Sequence, residues 1–192
     1  MKLEKYINDA KNSLGLPHTG GTDWRVINER VAEAFYEIVS IANPSTFLEI
    51  GFNCGGSALA FLIINPLLHY DSIDIVRNEK SEEFLKKEYI NWRFFNLDSR
   101  NILPDKDGLK SRYDLILIDG DHSPEGVSSD IEKSILFNPE YLLFDDVKHP
   151  SHKHIEQKIK EDGRLEIIKL WEFNEIWDGY SMAICKVKKI TW

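Results

Sequence analysis

The sequence predicts an α/β fold in which a doubly wound, mainly parallel sheet carries helices on both faces. Three observations lead there. Phe47-Leu48-Glu49-Ile50 is a short apolar run that ends in a loop with glycines at 51, 55 and 56, and an apolar segment of helical length follows. Strand, tight turn, helix is the opening unit of such a sheet, in which ligands bind at the carboxyl ends of the strands. Further apolar runs then alternate with helical patterns, which implies parallel pairing. Residues 113–118 are almost continuously apolar, as a strand buried on both faces should be.

The elements follow in order. Residues 1–19 carry Leu3, Tyr6, Ile7 and Leu14 at loose helical spacing, and His18-Thr19-Gly20-Gly21-Thr22 reads as a turn. Asp23 is a candidate cap for a helix whose apolar face is Trp24, Ile27, Val31, Ala34, Phe35, Ile38 and Val39. Asn43-Pro44-Ser45 ends it. Strands are expected at 46–50, 70–76, 92–97, 113–118 and 141–144, and helices at 56–64, 81–87, 124–137 and 152–161. Residues 165–173 and 180–187 are strand-like and close enough in sequence for an antiparallel hairpin.

The 192 residues suit one domain, with 1–44 as N-terminal helices or lid and 45–192 as the core. A composition of 42% hydrophobic and 29% charged residues argues against extended disorder. A net charge of -8 with no basic tract argues against a nucleic-acid partner. Cys54 and Cys185 are the only cysteines, far apart, so neither a disulfide framework nor a structural zinc site is expected. The N-terminus has no apolar signal region, and the longest apolar run, 58–68, is broken by Asn65-Pro66. A soluble cytoplasmic protein is expected, with a small-molecule partner and no membrane. A homodimer is compatible with the sequence, without a legible interface.

The glycine loop reads Glu49-x-Gly51-x-x-x-Gly55-x-Ser57, not the G-x-G-x-x-G of a dinucleotide site. A carboxylate there suits a ligand with an ammonium group better than a pyrophosphate. Asp74 follows at the end of the second strand, about 20 residues beyond the loop, where an acid accepts hydrogen bonds from ribose hydroxyls; Asp71 is the weaker substitute. Asp98-Ser99 ends the third strand, and Asp119 leaves the fourth. With Asp145-Asp146 at the exit of the fifth, three carboxylates should converge. Two of them about 4 Å apart repel by about 4 kcal/mol at an effective dielectric of 20. Protons, cationic side chains or a hard divalent ion must offset that, and oxygen ligands favour magnesium, calcium or manganese.

The loop resembles the first motif of the class I S-adenosylmethionine-dependent methyltransferases, E/D-x-G-x-x-x-G. That resemblance implies a Rossmann-like seven-stranded sheet of order 3-2-1-4-5-7-6 with the last strand antiparallel. It implies cofactor contacts at Glu49, Gly51, Phe52, Asn53, Gly55 and Ser57, at Asp74 with Ile75 for the ribose, at Asp98 and Ser99 for the adenine, and at Asp119. Ile118-Asp119-Gly120-Asp121-His122-Ser123 resembles the small-molecule O-methyltransferases of the catechol O-methyltransferase type and their sugar-modifying relatives. In that family an acid after strand four and a pair after strand five bind a divalent metal, here Asp119, Asp145 and Asp146. The general base stands three residues after the first metal acid, here His122. Asn138-Pro139-Glu140 replaces the family's Pro-Gly-Gly turn, which bears on the register of Asp145-Asp146. Methyl transfer from S-adenosylmethionine to a small hydroxylated acceptor, with Mg2+, Mn2+ or Ca2+, is the expected activity. A nicotinamide-dependent oxidoreductase and a non-catalytic cofactor-binding protein are the alternatives. His149, His152 and His154 are either a transition-metal cluster or, as their loop and polar helix start favour, a solvated or pocket-rim segment; Trp24, Trp171 and Trp177 are either walls of an aromatic substrate site or, by default, core.

Overall fold

A computed structural model describes residues 29–174 and 179–188. Expectations for residues 1–28, including Asp23, Trp24 and the lid, and for Trp177 lie outside the described residues.

The sheet has seven strands in the order β3-β2-β1-β4-β5-β7-β6. They are β1 Thr46–Ile50, β2 His69–Asp74, β3 Trp92–Asn96, β4 Leu115–Ile118, β5 Tyr141–Asp145, β6 Leu165–Glu172 and β7 Ser181–Val187. β1 to β5 run parallel, and β7 lies antiparallel between β5 and β6. The helices are α1 Glu29–Ala42, α2 Gly56–Ile64, α3 Glu79–Glu88, α4 Pro124–Leu136 and α5 His154–Glu161. The implied strand order and the antiparallel last strand are therefore present. A short 3-10 turn at Ser99–Asn101 was not expected.

Period-two alternation sorts β1 between two cores. Phe47 joins Phe35, Phe61, Leu85 and Trp92 on the face covered by α1, α2 and α3. Leu48 and Ile50 join Val127, Ile131, Ile155 and Ile159 on the face covered by α4 and α5. β4 is buried at every position, which explains its unbroken apolar run. Trp171 packs in the first core and its Nε1 donates to Glu37 Oε2 at 2.9 Å.

Local chemistry sets the element ends. Ser123 caps α4, its Oγ accepting from Gly126 N at 3.0 Å, and Pro124 occupies the first turn where no amide is needed. Asn78 caps α3 through Ser81 N. Asp114 accepts from Ser45 N, Thr46 N and the Thr46 hydroxyl, tying the start of β1 to the entry of β4. The Asn138-Pro139-Glu140 turn does not disturb the register. Ile118 pairs with Phe144, so Asp119 and Asp145 stand one step further along adjacent strands.

Candidate active site

A cavity of about 840 Å³ opens at the carboxyl ends of the parallel strands. Its wall is built from the turn after β1 (Ile50, Gly51, Asn53), the end of β2 (Ile73, Asp74, Ile75) and the segment after β3 (Asp98, Ser99, Arg100). The turn after β4 (Asp119, Gly120, Asp121, His122) and the end of β5 (Asp145, Asp146) complete it. The volume is in the range of small-molecule sites.

Gly51 is what lets these parts meet. Its φ is +95°, and a Cβ there would lie 2.0 Å from the backbone oxygen of Asp119. Asp119 N in turn donates to Ile50 O at 2.9 Å. The exits of β1 and β4 are thus in backbone contact, which only glycine permits.

Asp74 holds the first turn together. Oδ2 accepts from Asn53 N at 2.8 Å and Oδ1 from Val76 N at 2.8 Å. A carboxylate has about four lone-pair sites, so each oxygen keeps one for a ligand. Asn96 braces the same segment, its amide donating to Asp74 O and Ile75 O. Asp71 does not substitute for Asp74. It is buried, forked by Arg93 Nε and Nη2 at 2.8 and 2.7 Å, and accepts from the Tyr113 hydroxyl.

Four of the expected contact residues stand behind the wall. Glu49 is 1% exposed and accepts from Ser72 Oγ at 2.7 Å. It lies on the opposite side of the pleat from Ile50, the side of Phe47 and the α1–α3 core. Burial pushes its carboxyl up to about 8. Phe52 is buried against Trp92 and Phe94, with ring centroids 5.4 and 5.2 Å apart. Gly55 is left-handed, and a Cβ there would strike the Phe52 ring at 2.6 Å. Ser57, in the first turn of α2, is half-buried and is not among the residues lining this cavity.

Asp98 lines the cavity but its carboxylate is committed. It caps the 3-10 turn at Arg100 N and is forked by the Arg100 guanidinium, which holds its carboxyl below the usual range. Asp130 of α4 lies under the same wall, 1% exposed, with neither oxygen in good hydrogen-bond geometry. Burial pushes it up to about 6, against the pull of the nearby Ser99 hydroxyl.

The carboxylates after β4 and β5 converge as expected. Burial, then the charges of Asp146, Glu49 and Asp74, raise Asp119 well above an ordinary aspartate. Burial, then Asp119 and Asp146, do the same for Asp145. Oδ1 of Asp145 and Oδ1 of Asp146 are buried without a hydrogen-bond partner. Asp146 has a φ of +53°. Orphaned acceptors of this kind fit a hard cation, which takes oxygen ligands.

His122 Nε2 stands 3.5 Å from Asp119 Oδ1, and burial lowers its pKa, so the ring is a neutral acceptor at neutral pH. The histidine segment is more than a solvated rim. The His152 ring stacks on His122 with centroids 4.7 Å apart and on His149 at 4.6 Å. A ring nitrogen, Nε2, of His154 lies 2.7 Å from the His122 carbonyl oxygen. Sequence reasoning missed Arg100, Asn96 and Asp130, and named His152 only as one of three histidines of a metal cluster or pocket rim, without its stacking on His122. Only the spacing of the histidines carried a signal, and an irregular loop hid where they would turn.

A family model described as a methyltransferase domain matches residues 48–147. No curated protein sequence matches significantly. Solved structures resemble the chain over nearly its whole length. An O-methyltransferase from Bacillus cereus in complex with SAH has a TM-score of 0.67 at 14% identity, covering 98% of this chain and 91% of that one. The O-methyltransferase TomG from Streptomyces achromogenes, involved in tomaymycin synthesis and in complex with SAM, gives 0.64 at 14%, again covering 98% and 91%. A Burkholderia thailandensis 1,6-didemethyltoxoflavin-N1-methyltransferase with its acceptor and S-adenosylhomocysteine gives 0.63 at 10%, covering 97% and 88%. The family match spans both the turn after β1 and the acids after β4 and β5, and the chain belongs to the methyltransferase-domain family.

Proposed function

We propose that the protein transfers the methyl group of S-adenosylmethionine to a hydroxyl oxygen of a small molecule, assisted by a hard divalent cation. The observation that carries this reading is the one cavity onto which Asp74 and Asp119 both open, with the Gly51 turn between them. The SAM- and SAH-bound neighbours support it through their shared fold.

Each residue has a role that follows from its surroundings. Asp74 offers its two remaining lone pairs to ribose hydroxyls, and Gly51 and Asn53 present backbone at close range. Ile75, 69% exposed at the rim, gives an apolar face for a base. Ser99 lines the wall beside it with its hydroxyl near Asp130, while Asp98 is held by Arg100. Asp119, Asp145 and Asp146 hold the cation. When bound, the cofactor supplies an electrophilic methyl group and the cation lowers the pKa of the acceptor hydroxyl. His122 takes the hydroxyl proton at Nε2, which the neutral ring can accept. Holding both partners in line supplies much of the rate.

Titration calorimetry with S-adenosylhomocysteine, against NAD as control, tests the cofactor. Binding of S-adenosylhomocysteine alone is expected, and Asp74→Ala should weaken it about 10-fold or more, the size of a lost charged hydrogen bond. Unchanged affinity would remove the ribose assignment. Screening catechols, sugars and hydroxylated metabolites with radiolabelled cofactor identifies the acceptor.

A further inference from the structure

We propose that His122, His152 and Asp146 form a binding site for a divalent transition ion of the zinc and cobalt(II) class, an alternative ligand set that shares Asp146 with the all-oxygen set of Asp119, Asp145 and Asp146. One ligand atom from each of the three lies within 4.8 Å of the others. They come from three segments, the turn after β4, the exit of β5 and the loop before α5, so the fold and not a local turn brings them together.

Three further observations point to a ligand. His122 Nε2, His152 Nδ1 and Asp146 Oδ1 are each shielded from solvent and without a hydrogen-bond partner, whereas buried polar atoms ordinarily have one. His152 Nδ1 stands 3.8 Å from Asp146 Oδ2, close but not bonded. The rings are also held by their neighbours. His149 stacks on His152 with centroids 4.6 Å apart, His154 Nε2 meets the His122 carbonyl, and the His152 amide donates to His149 O at 2.8 Å. Outer contacts of this sort orient imidazole ligands.

The donor set decides the ion. Two imidazole nitrogens and one carboxylate suit zinc, cobalt or nickel, whereas magnesium asks for oxygens throughout. Zinc holds nitrogen at about 2.0–2.1 Å, so the ligand atoms must draw together and the rings of His122 and His152, stacked at 18°, must rotate to aim their in-plane lone pairs at one point; three protein ligands then leave one position open. Such an ion would take His122 Nε2 out of the proton-accepting role proposed above. It would oppose methyl transfer rather than support it. The site itself does not depend on that reading.

The test uses the full chain without a histidine tag, stripped of metal and titrated with CoCl2 while visible absorption is recorded. One equivalent should give an intense d–d band. Stoichiometric ZnCl2 should abolish it, and a large excess of MgCl2 should not. His152→Ala should weaken cobalt binding by at least 10–100-fold, while His69→Ala, far from the cluster, should leave it unchanged. A weak band indifferent to His152→Ala, or displacement by magnesium, would overturn the proposal. S-adenosylhomocysteine binding on the same samples reports folding and the cofactor reading independently. Its failure beside an intact cobalt band would sink the proposed function and leave the metal site standing.

Discussion

Gly51 and Glu49 sit two residues apart and are constrained by opposite things, space and charge. At Gly51 any side chain meets the Asp119 carbonyl. Gly51→Ala should cost at least about 1–3 kcal/mol, the range for strained backbone, and urea unfolding will read it. Glu49 is constrained by burial. Its carboxyl ionises near its ordinary value of 4.5 in the unfolded chain and at about 8 in the folded one. Between those values the folded chain keeps a proton that the unfolded chain has lost. Its contribution to stability is therefore full below about 4.5 and falls as pH rises towards 8, by about 1.4 kcal/mol per pH unit. Glu49→Gln keeps an acceptor for Ser72 and cannot ionise. Its stability relative to wild type should rise between pH 5 and pH 8.5; a constant difference across that range would show that Glu49 is charged where it lies.

Among the elements, the parallel strands and their helices were legible because their apolar runs are uniform and their boundaries chemically marked. β1 and α2 have the expected ends, and α4 begins where Ser123-Pro124 says it should. β4 is shorter than the apolar run, because Tyr113 and Asp114 anchor the entry instead of pairing in the strand. Side-chain direction was less legible than position. Glu49, Phe52, Gly55 and Ser57 share the motif with Gly51, yet the pleat and the left-handed cap turn them away from the cavity. Asp98 stands where expected but is claimed by a neighbour two residues on. Such outcomes depend on tertiary partners that spacing does not encode. β7 makes an element-scale prediction. Ile184 is fully buried in the strand that joins β5 to β6. Ile184→Ala should destabilise the chain by about 2–5 kcal/mol, visible as a lowered urea midpoint. A neutral result would mean that the hairpin is peripheral to the cooperative unit.

At the scale of the molecule, five parallel strands deliver acids and glycine to one edge, and the hairpin closes the other flank of the sheet. Once the acceptor is known, chelation with EDTA should reduce methyl transfer and Mg2+ should restore it, with Asp145→Asn failing to respond at the same concentrations. Full activity in chelator would separate the acid cluster from the chemistry. No helix among the described residues is long and apolar enough to cross a membrane. The seam where Gly51 touches the backbone of Asp119 has a mechanical meaning as well. With no slack between the two strand tips, a displacement of one is handed directly to the other. On the proposed assignment of cofactor and acceptor to the two sides, occupancy of either half should change affinity in the other by the same factor.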